Sequence, residues 1–120
     1  QIIVKAKSSF IEQQSDSDEN RFVFSYDITI SNESDSSVQL LSRSWLITDA
    51  DGKKVSVQGD GVVGQQPKIS PGKSYNYSSG SVIKTPFGTM EGFYQMVTEK
   101  GDILQVEIPV FSLSVPNIVH

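Results

Sequence analysis

From Phe22 onward, apolar residues fall on every second position: Phe22, Phe24, Tyr26, Ile28 and Ile30, with Ser25, Asp27, Thr29 and Ser31 between them. A period of two places those five side chains on one face of an extended chain, whereas a helix would scatter them around its circumference. The stretch predicts a half-buried antiparallel strand, with one face in a core and the other in water. The same alternation recurs along the chain, and helical periodicity is nearly absent.

The run Ile2-Ile3-Val4-Lys5-Ala6-Lys7 to Phe10-Ile11 reads as an edge strand, its lysines turned outward. Gln13 to Asn20 is a polar turn. Val38 to Thr48 is a third strand and carries Trp45, which is expected to pin the core between two sheets rather than serve as a surface platform. Asp51-Gly52 closes a hairpin onto Lys54–Val57, because Asp-Gly supplies the positive φ of a tight turn. Gly59 to Gly72 is the longest stretch without alternation and is expected to be a loop. Tyr75 to Ile83 follows as a strand with a bulge expected at Ser79-Gly80, then a turn containing Phe87, then strands from Met90 to Val97 and from Ile103 to Val110. Beyond Pro109 the apolar set moves to Phe111, Leu113 and Val115, a change of phase that predicts a second bulge.

Seven to eight short antiparallel strands separated by turn signals predict an all-β sandwich of immunoglobulin or fibronectin type III kind, with a closed barrel as the alternative. No repeat, linker or shift in composition divides residues 1–120, so a single domain is expected. A chain of this length buries about two thirds of its unfolded surface, enough for one core without a staple.

Composition narrows the chemistry. With no cysteine the chain has no thiol nucleophile, disulfide or Cys-containing zinc site. The only histidine, His120, is the last residue, which argues against a Ser-His-Asp triad and a His-rich metal centre. A net charge of -4 with dispersed Lys and Arg argues against nucleic acid, and no apolar run is long enough for membrane insertion. Neither a catalytic set nor a cofactor or metal site is expected.

Two features could carry recognition. Gly59-Asp60-Gly61-Val62-Val63-Gly64 matches G-x-G-x-x-G. Pro67, Pro71 and Gly72 follow it closely and preclude the helix that a dinucleotide fold needs there. Successive glycines can still turn backbone N–H groups toward an anion, with Lys68 and Lys73 close enough to assist and Asp60 opposing. The plainer reading is a glycine loop crossing one end of the sandwich. The second feature is aromatic: Tyr75 and Tyr77 on one face, Phe87 in a turn, and Phe93 with Tyr94 on the next strand. Such rings suit a protein-interaction surface, or they fill core and rim. Asp16, Asp18 and Asn20 imitate the start of a calcium loop, but Arg21 stands where glycine is required, so a solvated turn is expected.

Several long segments carry a resemblance: Arg21–Asn32, Gln39–Gly52, Gly59–Gly80, Thr85–Met96 and Ile108–His120. Together they resemble the bacterial ApaG family, also called CorD, over nearly the whole chain. The resemblance implies an immunoglobulin or fibronectin III-like sandwich and a cytoplasmic bacterial protein. It also implies a genetic association with cobalt resistance and magnesium efflux, and a protein-binding role by analogy with similar domains in eukaryotic F-box proteins. The family's glycine motif falls on Gly59, Gly61 and Gly64. Asp60 stands where the family often has Glu, and Phe93 where it often has His, which removes a titratable group from that place.

The expectation is a non-enzymatic module that presents its loops and aromatic strand to a protein partner. The alternative is a small-ligand protein holding pyrophosphate, a nucleotide or a divalent cation at Gly59–Gly64. An open sheet edge would also allow two copies to pair as a homodimer.

Overall fold

The structure, a computed structural model, describes residues 1–116; His120 lies outside them. Eight strands form in chain order: β1 (Ile2–Phe10), β2 (Phe22–Asn32), β3 (Val38–Asp49), β4 (Lys54–Asp60), β5 (Lys68–Ile69), β6 (Ser74–Ile83), β7 (Phe87–Thr98) and β8 (Ile103–Ser114). They make two antiparallel sheets, one ordered β1-β2-β6 and the other β4-β3-β7-β8 with β5 pairing to β3. Strands cross between the sheets, as in an immunoglobulin or fibronectin III-like sandwich, and the open edges exclude a closed barrel.

The alternation in β2 does what its period requires. Phe22, Phe24, Tyr26, Ile28 and Ile30 face inward and are buried. Trp45 packs its ring against Tyr26 across the sandwich and against Tyr94 and Phe111 of its own sheet, the centroids 5.4, 6.5 and 5.9 Å away. Trp45 is therefore the core pin that its strand position predicts. Lys5 and Lys7 of the edge strand β1 point to solvent.

Two bulges set which side chains face the core. In β3, Leu40 pairs with Met96 but Ser42 pairs with Gln95, so Leu41 is an extra residue. The inward set moves from Val38 and Leu40 to Arg43, Trp45 and Ile47. In β8, Pro109 and Val110 stand opposite Glu91, so the change of phase at Pro109 is a bulge as expected. At Ser79-Gly80 the expected bulge is absent. Gly80 pairs with Ser25 in a register unbroken from Phe22↔Ile83 to Ser31↔Ser74.

Apart from the aromatic residues, Asn32 is the only buried polar side chain among the described residues, and its hydrogen bonds are complete. Its amide nitrogen donates to the carbonyls of Ser36 (2.8 Å) and Ile69 (2.9 Å), while its oxygen accepts from the Ser34 backbone N–H and hydroxyl. One side chain thus ties the turn after β2 to β5.

One long side of the sandwich is closed and the other is open. β1 packs against β8, and the Ser8 hydroxyl donates to the Ser112 carbonyl. On the far side, the free edges β4 and β6 scarcely touch. Val55 and Val57, directly across from Ile47 and Trp45 and on the same inward face, are 56% and 38% exposed. Side chains that alternation assigns to the core line a groove instead.

Candidate functional site: an open groove beside Arg43

The glycine motif borders this groove, and its first residues belong to a strand rather than a loop. Gly59 and Asp60 end β4, and β5 interrupts the remainder of the stretch expected to be irregular. Each glycine has a steric reason. A Cβ on Gly59 would lie 2.9 Å from the Arg43 guanidinium, which packs across it. A Cβ on Gly61 would collide with the Gln65 carbonyl oxygen. Val62 and Gln65 exchange N–H···O bonds of 2.8 and 2.9 Å around Val63 (φ 49°) and Gly64 (φ 76°), a two-residue turn with both central residues left-handed. Gly64 adopts that conformation at little cost, whereas the β-branched Val63 is strained there.

These bonds limit what the loop can offer an anion. The Gly61 N–H donates to the Leu41 carbonyl, and those of Val62 and Gln65 are used within the turn. Lys68 lies exposed on β5 opposite Gln39, and Lys73 is exposed at a turn whose backbone pairs with Asn32 and Ser70.

Arg43 is the cation held at the groove. Its Nη1 donates to the carbonyls of Asp60 (3.0 Å) and Gly61 (2.9 Å), which fixes the plane of the guanidinium. Tyr26, Trp45, Val62, Val63, Tyr77 and Ser79 surround it, enclosing a cavity of about 290 Å³. A second cavity, of about 340 Å³, shares Arg43, Trp45 and Ser79 and continues along Val55, Val57 and Val82. Sequence reasoning missed Arg43; its place next to the bulge at Leu41 is what turns it inward.

The aromatic residues divide between faces. Tyr77 of β6 and Tyr94 of β7 face each other across the core, and their hydroxyls hydrogen bond at 2.5 Å. Tyr94 is fully buried, so the expectation that it lies on an interaction surface is corrected: inward alternation in β7 gives it to the core. Tyr75 is half-buried on the same inward face as Tyr77. Phe93 lies on the outer face of its sheet, beside Ser42, Ser44, Gln58 and Gln95. Phe87 begins β7 rather than lying in a turn, and is 44% exposed. β7 pairs with β3 at Gly88↔Asp49, whereas the glycine turn hangs from Leu41. Phe87 and the glycine motif are therefore about 26 Å apart along β3 and share no end of the sandwich.

Burial pushes the Tyr77 and Tyr94 phenols well above their ordinary value near 10, with nearby Arg43 opposing the shift. Because the folded pKa values are raised, their contribution to stability is full below pH ~10 and is lost as pH rises above it. Phenolate absorbance during an alkaline titration is expected to show Tyr77 and Tyr94 ionising only in the step that unfolds the chain. Tyr77→Phe should cost about 1–3 kcal/mol in urea unfolding by orphaning the buried Tyr94 hydroxyl, and adding Tyr94→Phe should restore most of it.

Among the described residues no group of three or more His, Cys, Asp or Glu could hold a metal ion, and no helix is long and apolar enough to cross a membrane. Asp16 accepts from the Asp18 backbone N–H in an exposed turn, as expected for that acidic stretch.

Known proteins share this frame. Residues 12–98 match the model of the ApaG domain family. The chain is 50% identical over 119 residues to the protein ApaG of Salmonella arizonae, covering 99% of this chain and 95% of that protein. The ApaA structure of Bordetella pertussis superposes with a TM-score of 0.95 at 38% identity, covering 98% of this chain and 96% of the other. The X-ray structure of a Northeast Structural Genomics Consortium target gives 0.94 at 46% identity, covering 99% and 90%. With the sandwich and nearly the full length in common, the chain belongs to the ApaG domain family.

Proposed function

We propose that the protein is a non-enzymatic, cytoplasmic binding module that engages a protein partner through the open side of its sandwich. The observation that carries this reading is the row of exposed apolar side chains there, Val55, Val57 and Val63, with Val82 bordering it on the edge of β6. Clustered exposed apolar groups mark interaction surfaces, and isolated ones do not. Val63 adds a second mark, since strain held in an exposed turn persists where the turn serves recognition. The surface differs from the one its sequence suggests: the groove supplies the contact, with Tyr77 in its wall and Phe87 remote from it.

Pyrophosphate or nucleotide binding at Gly59–Gly64 has less support, because the Gly61, Val62 and Gln65 amides already have partners. A divalent cation at the same place, and a direct part in cobalt or magnesium efflux, would need donors beyond the single carboxylate of Asp60 in that motif.

The test is affinity capture from a native bacterial lysate with wild-type and Val63→Asn baits. Asn-Gly suits a turn with both central residues left-handed, so the variant should gain about 1 kcal/mol of stability. It should also lose captured partner severalfold. Equal capture by a more stable bait would separate the strained turn from function. No specific partner from either bait, over a range of salt, would remove the protein-binding reading.

A further inference from the structure

On the open side the sheet β1-β2-β6 stops at β6, whose outer edge is free along Ser74–Ile83, because β4 pairs with β3 in the other sheet. The edges of the closed side are defended. β1 carries Lys5 and Lys7, and β8 carries Pro109 within a bulge. The β6 edge contains no Lys, Arg or Pro and pairs in unbroken register with β2, so its unused N–H and C=O groups form a flat template.

What fits the template is set by the groove next to it. Inward positions along the open side run in steps of two residues: Arg43 across from Gly59, then Val57, then Val55, with Lys53 beyond. Lys84 lines the same end as Lys53. The groove is thus apolar in the middle and cationic at both ends. Two carboxylates lie at its rim. Asp49 is occupied, its Oδ1 accepting from the Asp51 and Lys53 backbone N–H groups; Asp60 lines the Arg43 cavity as well as the outer face of β4, and only its backbone carbonyl bonds the guanidinium. The Arg43 hydrogen bonds go to carbonyls alone, so its positive charge has no carboxylate bonded to it.

We propose that an extended, acidic segment of a partner protein adds as a fourth strand to the edge of β6. Its inward side chains follow the order carboxylate, apolar, apolar, carboxylate. The first carboxylate meets Arg43, the apolar pair covers Val57 and Val55, and the last meets Lys53 and Lys84. This rests on the protein-binding reading and adds to it the place, backbone mode and charge of the partner segment. Main-chain bonds to the edge supply affinity, and the alternate side chains supply selection. An acidic segment also suits a site whose cations stand out on a chain of net charge -4.

The experiment titrates the isotope-labelled chain with the synthetic peptide acetyl-Glu-Thr-Val-Thr-Val-Thr-Glu-amide, following backbone amides by NMR and their hydrogen exchange. Shifts and new protection confined to β6 and the groove are expected. Binding should be about tenfold weaker for Arg43→Gln and for a peptide with lysine at both ends. Val55→Lys provides a second variant at an exposed position, away from the Arg43 hydrogen bonds, and should also abolish the β6 shifts with the melting temperature nearly unchanged. Shifts elsewhere, none at millimolar peptide, or equal binding of the lysine-ended peptide would overturn the proposal. Protection of the same β6 amides on concentrating the chain alone, with dimerisation seen in sedimentation, would replace the partner strand by a second copy. Lysate capture that persists in Val55→Lys would leave the protein-binding reading standing while removing the groove from it.

Discussion

Asn32→Asp should destabilise the protein by about 3–5 kcal/mol at neutral pH, enough to leave much of it unfolded at ordinary temperature. The Ser36 and Ile69 carbonyl oxygens, 2.8 and 2.9 Å from the Asn32 nitrogen, can only accept hydrogen bonds. A carboxylate in that place turns two attractions into repulsions at a fully buried site. The same environment raises the folded pKa of the new carboxyl above its unfolded value of about 3.9. A raised folded pKa leaves the protonated form tolerated at low pH and penalises the variant as pH climbs. Denaturant midpoints of wild type and variant should therefore lie closer together at pH ~4 than at pH ~7, and a gap independent of pH would show that Asn32 acts through shape alone.

Trp45→Ala should cost about 3–5 kcal/mol. The indole bridges the two sheets, touching Tyr26 on one and Tyr94 and Phe111 on the other, and it is 4% exposed. Removing it opens a void beside the existing groove, which water can enter through the gap between β4 and β6. Urea unfolding would measure the loss, and Trp45→Phe should recover about half of it by keeping the aromatic contacts. A loss below ~1 kcal/mol would mean that the neighbouring rings close over the gap, and that the sheets are held by β2 and β7 alone.

Much of the sandwich can be read directly from the chain. The alternation of β2, the Asp51-Gly52 turn and the change of phase at Pro109 all describe the observed elements, because each depends on neighbours a few residues away. The phase break in β3, from Val38 and Leu40 to Trp45, was not read from the sequence; the pairing of β3 with β7 shows it as the Leu41 bulge. The break at Ser79-Gly80 misleads for an informative reason. Ser79 and Ser81 occupy inward positions of β6 without a bulge, and polar residues stand there because that part of the inward face opens onto the groove.

The candidate site was less legible. Phe93 and Tyr94 are adjacent aromatics, and only the pairing of β7 with β3 assigns one to the surface and the other to the core. Nothing near Asn32 in sequence distinguishes it from the other polar residues of its turn, since one of its partners, Ile69, is distant in the chain. Arg43 looked like one of several dispersed cations until the bulge rotated it inward beside Tyr77 and Gly59.

By itself, the sequence determined that this protein is a two-sheet β-sandwich without cysteine chemistry, because period-two burial and residue chemistry are local properties. Only the tertiary structure decided which edges meet and which stay free. Closing β1 on β8 while leaving β4 and β6 apart depends on pairings between distant segments, and that choice turns Val55, Val57 and Arg43 from core and surface positions into the walls of one groove.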